Sequence, residues 1–221
     1  DSVKISPRTN PEREQIAIEL LKKAGAKYDP ATALVLKPDF SRDGEVQTQE
    51  VPGRNRLKPA RNIFVVKKGR PQPGQTERII VISAHNDKVD IGDGVIDNWT
   101  GTTLVTHLYA SIKDLDTEAT YVFISFAREE EGLVGSKYFL RSMTTQERGR
   151  IEGNANYDTI AIKGGDTNSW ENNSDAVLLD AADLAVLEAN KTRDPSTQLR
   201  LARGHLSSGD ADSSSFRRQR P

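Results

Sequence analysis

Three short apolar segments of this chain each run into acidic or imidazole side chains, and that repetition narrows the folds open to it. Ile79-Ile80-Val81-Ile82 leads to His85, Asp87 and Asp97. Ala119 to Phe126, mostly β-branched and aromatic, runs straight into Arg128-Glu129-Glu130-Glu131. Ala155-Asn156-Tyr157 ends on Asp158. Short apolar runs of this kind read as buried strands. A helical pattern follows the first of them from about Thr100, with Leu104, Leu108 and Ile112 on one face. Strands alternating with helices argue an α/β domain whose central sheet is mixed, mostly parallel and covered on both faces. In open α/β sheets the crevice at the carboxyl ends of the strands is where ligands bind. The three donor-bearing segments are therefore predicted to meet there. Clustered carboxylates repel one another unless a cation compensates them, and neutral imidazole with carboxylate suits a divalent metal such as zinc.

The remaining composition limits what that cation site is made of. There is no cysteine among the 221 residues, so disulfides, thiol nucleophiles and cysteine-held zinc are excluded. Any metal must be held by His, Asp and Glu, and the histidines are His85, His107 and His205. His107 falls in the Thr100 helix and reads as a surface histidine; His205 reads as a surface-loop histidine. A formal net charge of -1 gives no broad attraction to nucleic acid or to an acidic membrane. No run of about 18 apolar residues is present to span a membrane. The length suffices for one domain with a sizeable core.

Around these segments the chain reads as follows. Asn10-Pro11-Glu12 opens a helix, with Ile16 and Leu20 on its apolar side and Gly25 as its stop. Tyr28 to Arg61 is rich in Pro, Gly and charge and reads as loops with a short strand from Glu45 to Val51. Asn62 to Val66 is a strand, Ser136 to Arg141 a helical stretch, Ala176 to Leu179 a strand, Ala181 to Asn190 a helix, and Gly204 to Ser215 a loop.

One set of residues resembles a known family. His85-x-Asp87, then Asp97-Asn98, then Glu129-Glu130-x-Gly132-Leu133-x-Gly135-Ser136, then Asp158 at a strand end is similar to the di-zinc aminopeptidases. That family includes secreted bacterial leucyl aminopeptidases and relatives such as glutaminyl cyclases and glutamate carboxypeptidases. The resemblance runs from Asn62 to Asp158, and the tail with Asp212-Ser213-Ser214-Ser215-Phe216 fits it less closely. It implies a three-layer zinc-exopeptidase fold, with residues 1–221 as one catalytic domain and residues 1–61 as a lead-in. It implies two zinc ions and a peptide substrate. His85 and Asp158 would hold one zinc, Asp97 would bridge both, and Glu130 would hold the other. Glu129 would be the general base. Asp87 would accept the other ring N–H of His85 and fix its tautomer, and the Asp97-Asn98 peptide would be cis. Relatives are often exported, which implies a secreted or periplasmic protein.

The sequence departs from the family in one respect. The family supplies a further histidine beyond the Asp212 to Phe216 stretch, and none occurs here before Pro221. The closing strand and helix of the family fold are expected to be missing as well. The second zinc is then expected to bind less tightly than the first. The alternative reading is a catalytically silent metal-binding or structural domain on the same fold. An acyl-transfer cyclase is a third, but cyclases typically place Ser where this chain has Asn98.

Overall fold

In the computed structural model, residues 9–53, 60–160, 167–171, 176–195, 198, 200–204 and 211–217 are described. Contacts divide the chain into two compact units, one of residues 1–159 with 210–221 and one of residues 160–209.

The first unit is built on a five-stranded sheet. Its strands are β1 (Val46–Val51), β2 (Ala60–Lys67), β3 (Ile79–His85), β4 (Thr120–Phe126) and β5 (Ile151–Asn156), in the spatial order β1-β2-β4-β3-β5. The sheet is mixed, as expected. β1 with β2 and β2 with β4 are antiparallel, whereas β3 pairs parallel with both β4 and β5. The parallel half carries the three donor-bearing segments. His85 lies opposite Phe126, and Ser83 lies opposite Asn156. The register therefore brings His85, the loop after β4 and the residues after β5 to one edge.

Alternation along the strands sorts the core into two layers. Ile63, Val65 and Phe123 face Ile18 and Leu21 of α1 (Asn10–Lys23) and Val105 and Tyr109 of α2 (Thr100–Ile112). Phe64, Val66, Val122, Ile124 and Phe126 face the other way, onto Phe139 and Leu140 of α3 (Val134–Ser142). Phe64 and Phe126 both meet the Phe139 ring edge-on, at 5.8 and 5.7 Å between centroids. Each fully buried side chain of this size contributes about 1.5–3 kcal/mol. The result is a helix–sheet–helix sandwich in which the carboxyl ends of β3, β4 and β5 lie side by side.

Several elements differ from their sequence reading. α1 starts at Asn10 as expected, and its N-cap is Thr9, a residue the sequence reading does not single out: Thr9 and Glu12 exchange side-chain-to-backbone hydrogen bonds in a capping box. Gly25, at φ 100°, ends that helix as expected. A second capping box, Thr144 with Glu147, starts the short α4 (Thr145–Gly149), which the sequence reading passed over. Ser213 to Ser215, expected in a loop, lie in α6 (Ser213–Arg217). Phe216 of that helix packs against Phe126, and this burial outweighs the modest helix propensity of serine.

The second unit contains a two-stranded parallel sheet of β6 (Thr167–Glu171) and β7 (Arg200–Gly204), neither of which the pattern reading found, and α5 (Ala176–Asn190). Ala176 to Leu179 form the first turn of α5 rather than a strand. A four-residue apolar run does not distinguish the two periods, and alanine and leucine are among the best helix formers. His205 lies outside the described residues.

Candidate metal centre

β3 delivers His85 to the sheet edge with its side chain only 1 % exposed. Nε2 faces three carboxylates: Asp97 Oδ1 at 3.1 Å, Asp158 Oδ1 at 3.6 Å and Glu129 Oε2 at 4.0 Å. Nδ1 points to the opposite side, 3.4 Å from Asp87 Oδ1, in ion-pair range but without hydrogen-bond alignment. One ligand atom from each of His85, Asp97 and Asp158 lies within 4.8 Å of the other two. One imidazole and two carboxylates this close together form a donor set that fits zinc.

Local folding explains how distant residues meet here. The turn Val95–Trp99 is kinked at Asp97 and Asn98, whose backbone is not helical, and the peptide joining them is cis, as the resemblance implied. Asn98 is buried and ties this turn to the end of β5. Its Nδ2 donates to the Tyr157 carbonyl at 2.9 Å, and its Oδ1 accepts from the N–H groups of Gly101 and Thr159 at 3.0 and 3.3 Å. Asp97 and Asp158 are thereby held next to each other. A serine hydroxyl sits too close to the backbone to reach the Tyr157 carbonyl and the Gly101 and Thr159 N–H groups at once.

Asp87 has a role beyond facing the imidazole. Its two oxygens accept the backbone N–H groups of Glu129 and Glu130 at 3.0 and 3.2 Å. The loop after β4 is thus anchored to the loop after β3. Glu129 is turned inward, while Glu130 is exposed. Glu130 lies within electrostatic reach of Asp97, Asp87, Asp158 and His85. Among the described residues it is not part of the converging donor group. His107 is exposed on α2, in agreement with its surface reading.

The charges follow from this packing. Burial, reinforced by Asp158, Asp87 and Glu130, pushes the Glu129 carboxyl up to about 7, with His85 opposing. Burial also raises Glu130, helped by Asp97, Asp87 and Asp158 against His85. Complete burial holds Asp212 well above the usual carboxylate range. Burial alone would lower the His85 imidazole, but the carboxylates of Asp158, Asp87 and Asp97 outweigh it and hold it well above its ordinary value. Asp97 is lowered by His85.

These shifts set a pH dependence for the metal-free protein. Glu129, Glu130, Asp212 and His85 all bind protons more tightly folded than unfolded, so stability falls as pH rises. For the carboxyls the loss begins above about 4 and, for Glu129, runs to about 7. The His85 contribution is complete below about 6.5 and is lost as pH rises through its raised value. Asp97 acts in the opposite sense, but only below about pH 4. The urea midpoint of metal-free protein should therefore drop between about pH 5 and 8, and zinc should restore it. A midpoint that rises over that interval contradicts the charge assignment.

Sequence reasoning missed Arg13 and Asn86, both buried beside this site. Arg13 was legible in part, because Arg13, Ala17 and Leu21 share one stripe of α1 at four-residue spacing.

The sequence profile of peptidase family M28 matches residues 62–220. Aminopeptidase YwaD of Bacillus subtilis is 30 % identical over 157 residues, which is 68 % of this chain and 33 % of that protein. The structure of BSAP, described as a zinc aminopeptidase from Bacillus subtilis, superposes with a TM-score of 0.59 at 21 % identity, covering 73 % of this chain and 38 % of that one. A glutaminyl cyclase from an Acidobacteriales bacterium superposes with a TM-score of 0.62 at 14 % identity, over 99 % of this chain and 80 % of that one. These two likenesses bear on the fold alone. The chain spans about a third or less of the length of the curated relatives it matches first. With a matched region that takes in β3, β4, β5 and every donor of the site, the chain belongs to peptidase family M28.

Proposed function

We propose that the chain carries the catalytic site of a zinc-dependent exopeptidase, an aminopeptidase that releases residues from the free amino end of a peptide. The observation that carries this reading is the convergence of His85, Asp97 and Asp158, with Glu129 4.0 Å from the same imidazole nitrogen. The name of YwaD, 30 % identical over the matched residues, supports it. In this reading His85, Asp97 and Asp158 would hold one zinc, and Asp97 and the exposed Glu130 would face a second. Bound zinc supplies a Lewis acid that activates water and polarises a carbonyl. Glu129, turned inward beside the donor group, takes the proton from water and passes it to the leaving amine. Asp87 holds the Glu129 backbone so that this carboxyl stays inward. We further propose that residues 1–221 act as one catalytic domain, and that the protein is exported, to the periplasm or outside the cell.

The test is hydrolysis of leucyl-nitroanilide by zinc-loaded protein, abolished by a chelator and restored by zinc. Zinc binding without any hydrolysis would favour the silent-domain reading, which the exposure of Glu130 outside the donor group makes worth separating. Asn98 stands where cyclases typically place Ser, and this supports the peptidase over the cyclase.

A further inference from the structure

We propose that Arg13 is a positioning residue of the metal centre, a guanidinium staple that fixes the loop between His85 and Asp97 from the N-terminal helix. The proposal rests on the metal-site reading above and extends it to a residue outside the family-matched region, which begins at residue 62.

Arg13 is 0 % exposed. Its guanidinium reaches both ends of one loop. Nε donates to the carbonyl of Asn86, the residue directly after His85. Nη1 donates to the carbonyls of Gly94 at 2.9 Å and Asp93 at 3.3 Å, just before the turn that carries Asp97. The guanidinium also lies 5.2 Å from the ring centroid of Trp99, two residues beyond Asp97. One rigid planar group thus touches the chain next to each of two donors that are ten residues or more apart in sequence. The neighbouring Asn10 adds a clip on the same loop: its Oδ1 accepts the Lys88 N–H at 3.1 Å, and its Nδ2 donates to the Lys88 carbonyl at 3.4 Å.

The loop is shaped for this contact. Gly94 has φ 59°, and a Cβ there would fall 2.6 Å from Lys88 Cβ and 2.7 Å from Arg13 Nη1. The carbonyl approaches Arg13 this closely because no side chain intervenes. Stability alone is a poor explanation for the arginine. Burying a guanidinium is costly, and its Nη2 is buried without a hydrogen-bond partner. An apolar side chain of similar volume would fill the space at lower cost. What it would not do is hold the Asn86 and Gly94 carbonyls at a fixed separation. Lysine would keep the charge but not the planar fork.

The test compares Arg13→Lys with Ile18→Val, a packing change in the same helix that leaves the loop contacts intact. Two measurements are made on each full chain: zinc affinity by calorimetry, and amide hydrogen exchange of residues 86–99 without metal. Arg13→Lys should weaken zinc binding about 10-fold or more, the range for groups that orient metal ligands. It should also speed exchange in residues 86–99 while leaving β1 and β2 unchanged. Ile18→Val should do neither at a matched loss of stability. Unchanged affinity and exchange in Arg13→Lys would overturn the proposal. So would equal effects from Ile18→Val, which would make Arg13 merely an anchor of α1. If the unaltered chain binds no zinc, the metal-site reading fails, and the exchange comparison still decides whether Arg13 holds the loop.

Discussion

Glu129→Gln is expected to lower hydrolysis of an aminoacyl-nitroanilide at pH 7 by at least about 100-fold while zinc remains bound. The substitution is nearly isosteric, so the loop geometry set by Asp87 on the Glu129 and Glu130 N–H groups should persist. What disappears is the group able to accept and return a proton. Glu129 is suited to that task because it is turned inward, 4.0 Å from the His85 Nε2 that faces the donor group; in the metal-free protein burial and the neighbouring carboxylates push it up to about 7. The same change removes a repelled carboxyl, so metal-free Glu129→Gln should lose less stability than the unaltered chain as pH rises. Steady-state kinetics together with zinc content check the assignment. Full activity, or release of metal, would show that Glu129 is not the base.

His85→Ala is expected to weaken zinc binding by at least about 100-fold, beyond the loss typical of groups that only orient ligands. His85 is the imidazole in the converging donor group, and every other member is a carboxylate. It is also the group against which Asp97, Asp158, Asp87 and Glu129 are all placed. Without it, the remaining anions face one another and the donors drift apart. Calorimetry at neutral pH, with far-ultraviolet circular dichroism to confirm folding, is the measurement. Retained affinity in a folded variant would mean that metal binds elsewhere.

Much of the site was legible because its donors follow strongly patterned strands. The apolar runs of β3 and β4 leave little choice of period, and a parallel pairing aligns their carboxyl ends, so His85 and Glu129 were expected near each other. The Asn98 contacts were not legible, since they depend on a local kink at Asp97. The different fates of Glu129 and Glu130 were also hidden. They follow from a loop in which Arg128 and Leu133 take positive φ and Gly132 completes the turn, a path that no alternation pattern encodes. Arg13 was missed because a charged residue on a helix is normally assigned to solvent, whereas here loop carbonyls receive it. β6 and β7 escaped notice because Thr167–Glu171 and Arg200–Gly204 lack an apolar alternation of useful length.

The most direct measurement is a calorimetric titration of zinc into the metal-free, unaltered chain at neutral pH. Tight binding is expected at the site that His85, Asp97 and Asp158 form among the described residues, with protons released as zinc displaces them from His85. A second zinc, facing Asp97 and the exposed Glu130, should bind far more weakly. Two equally tight sites would contradict that asymmetry, and the absence of any binding would contradict the metal centre itself.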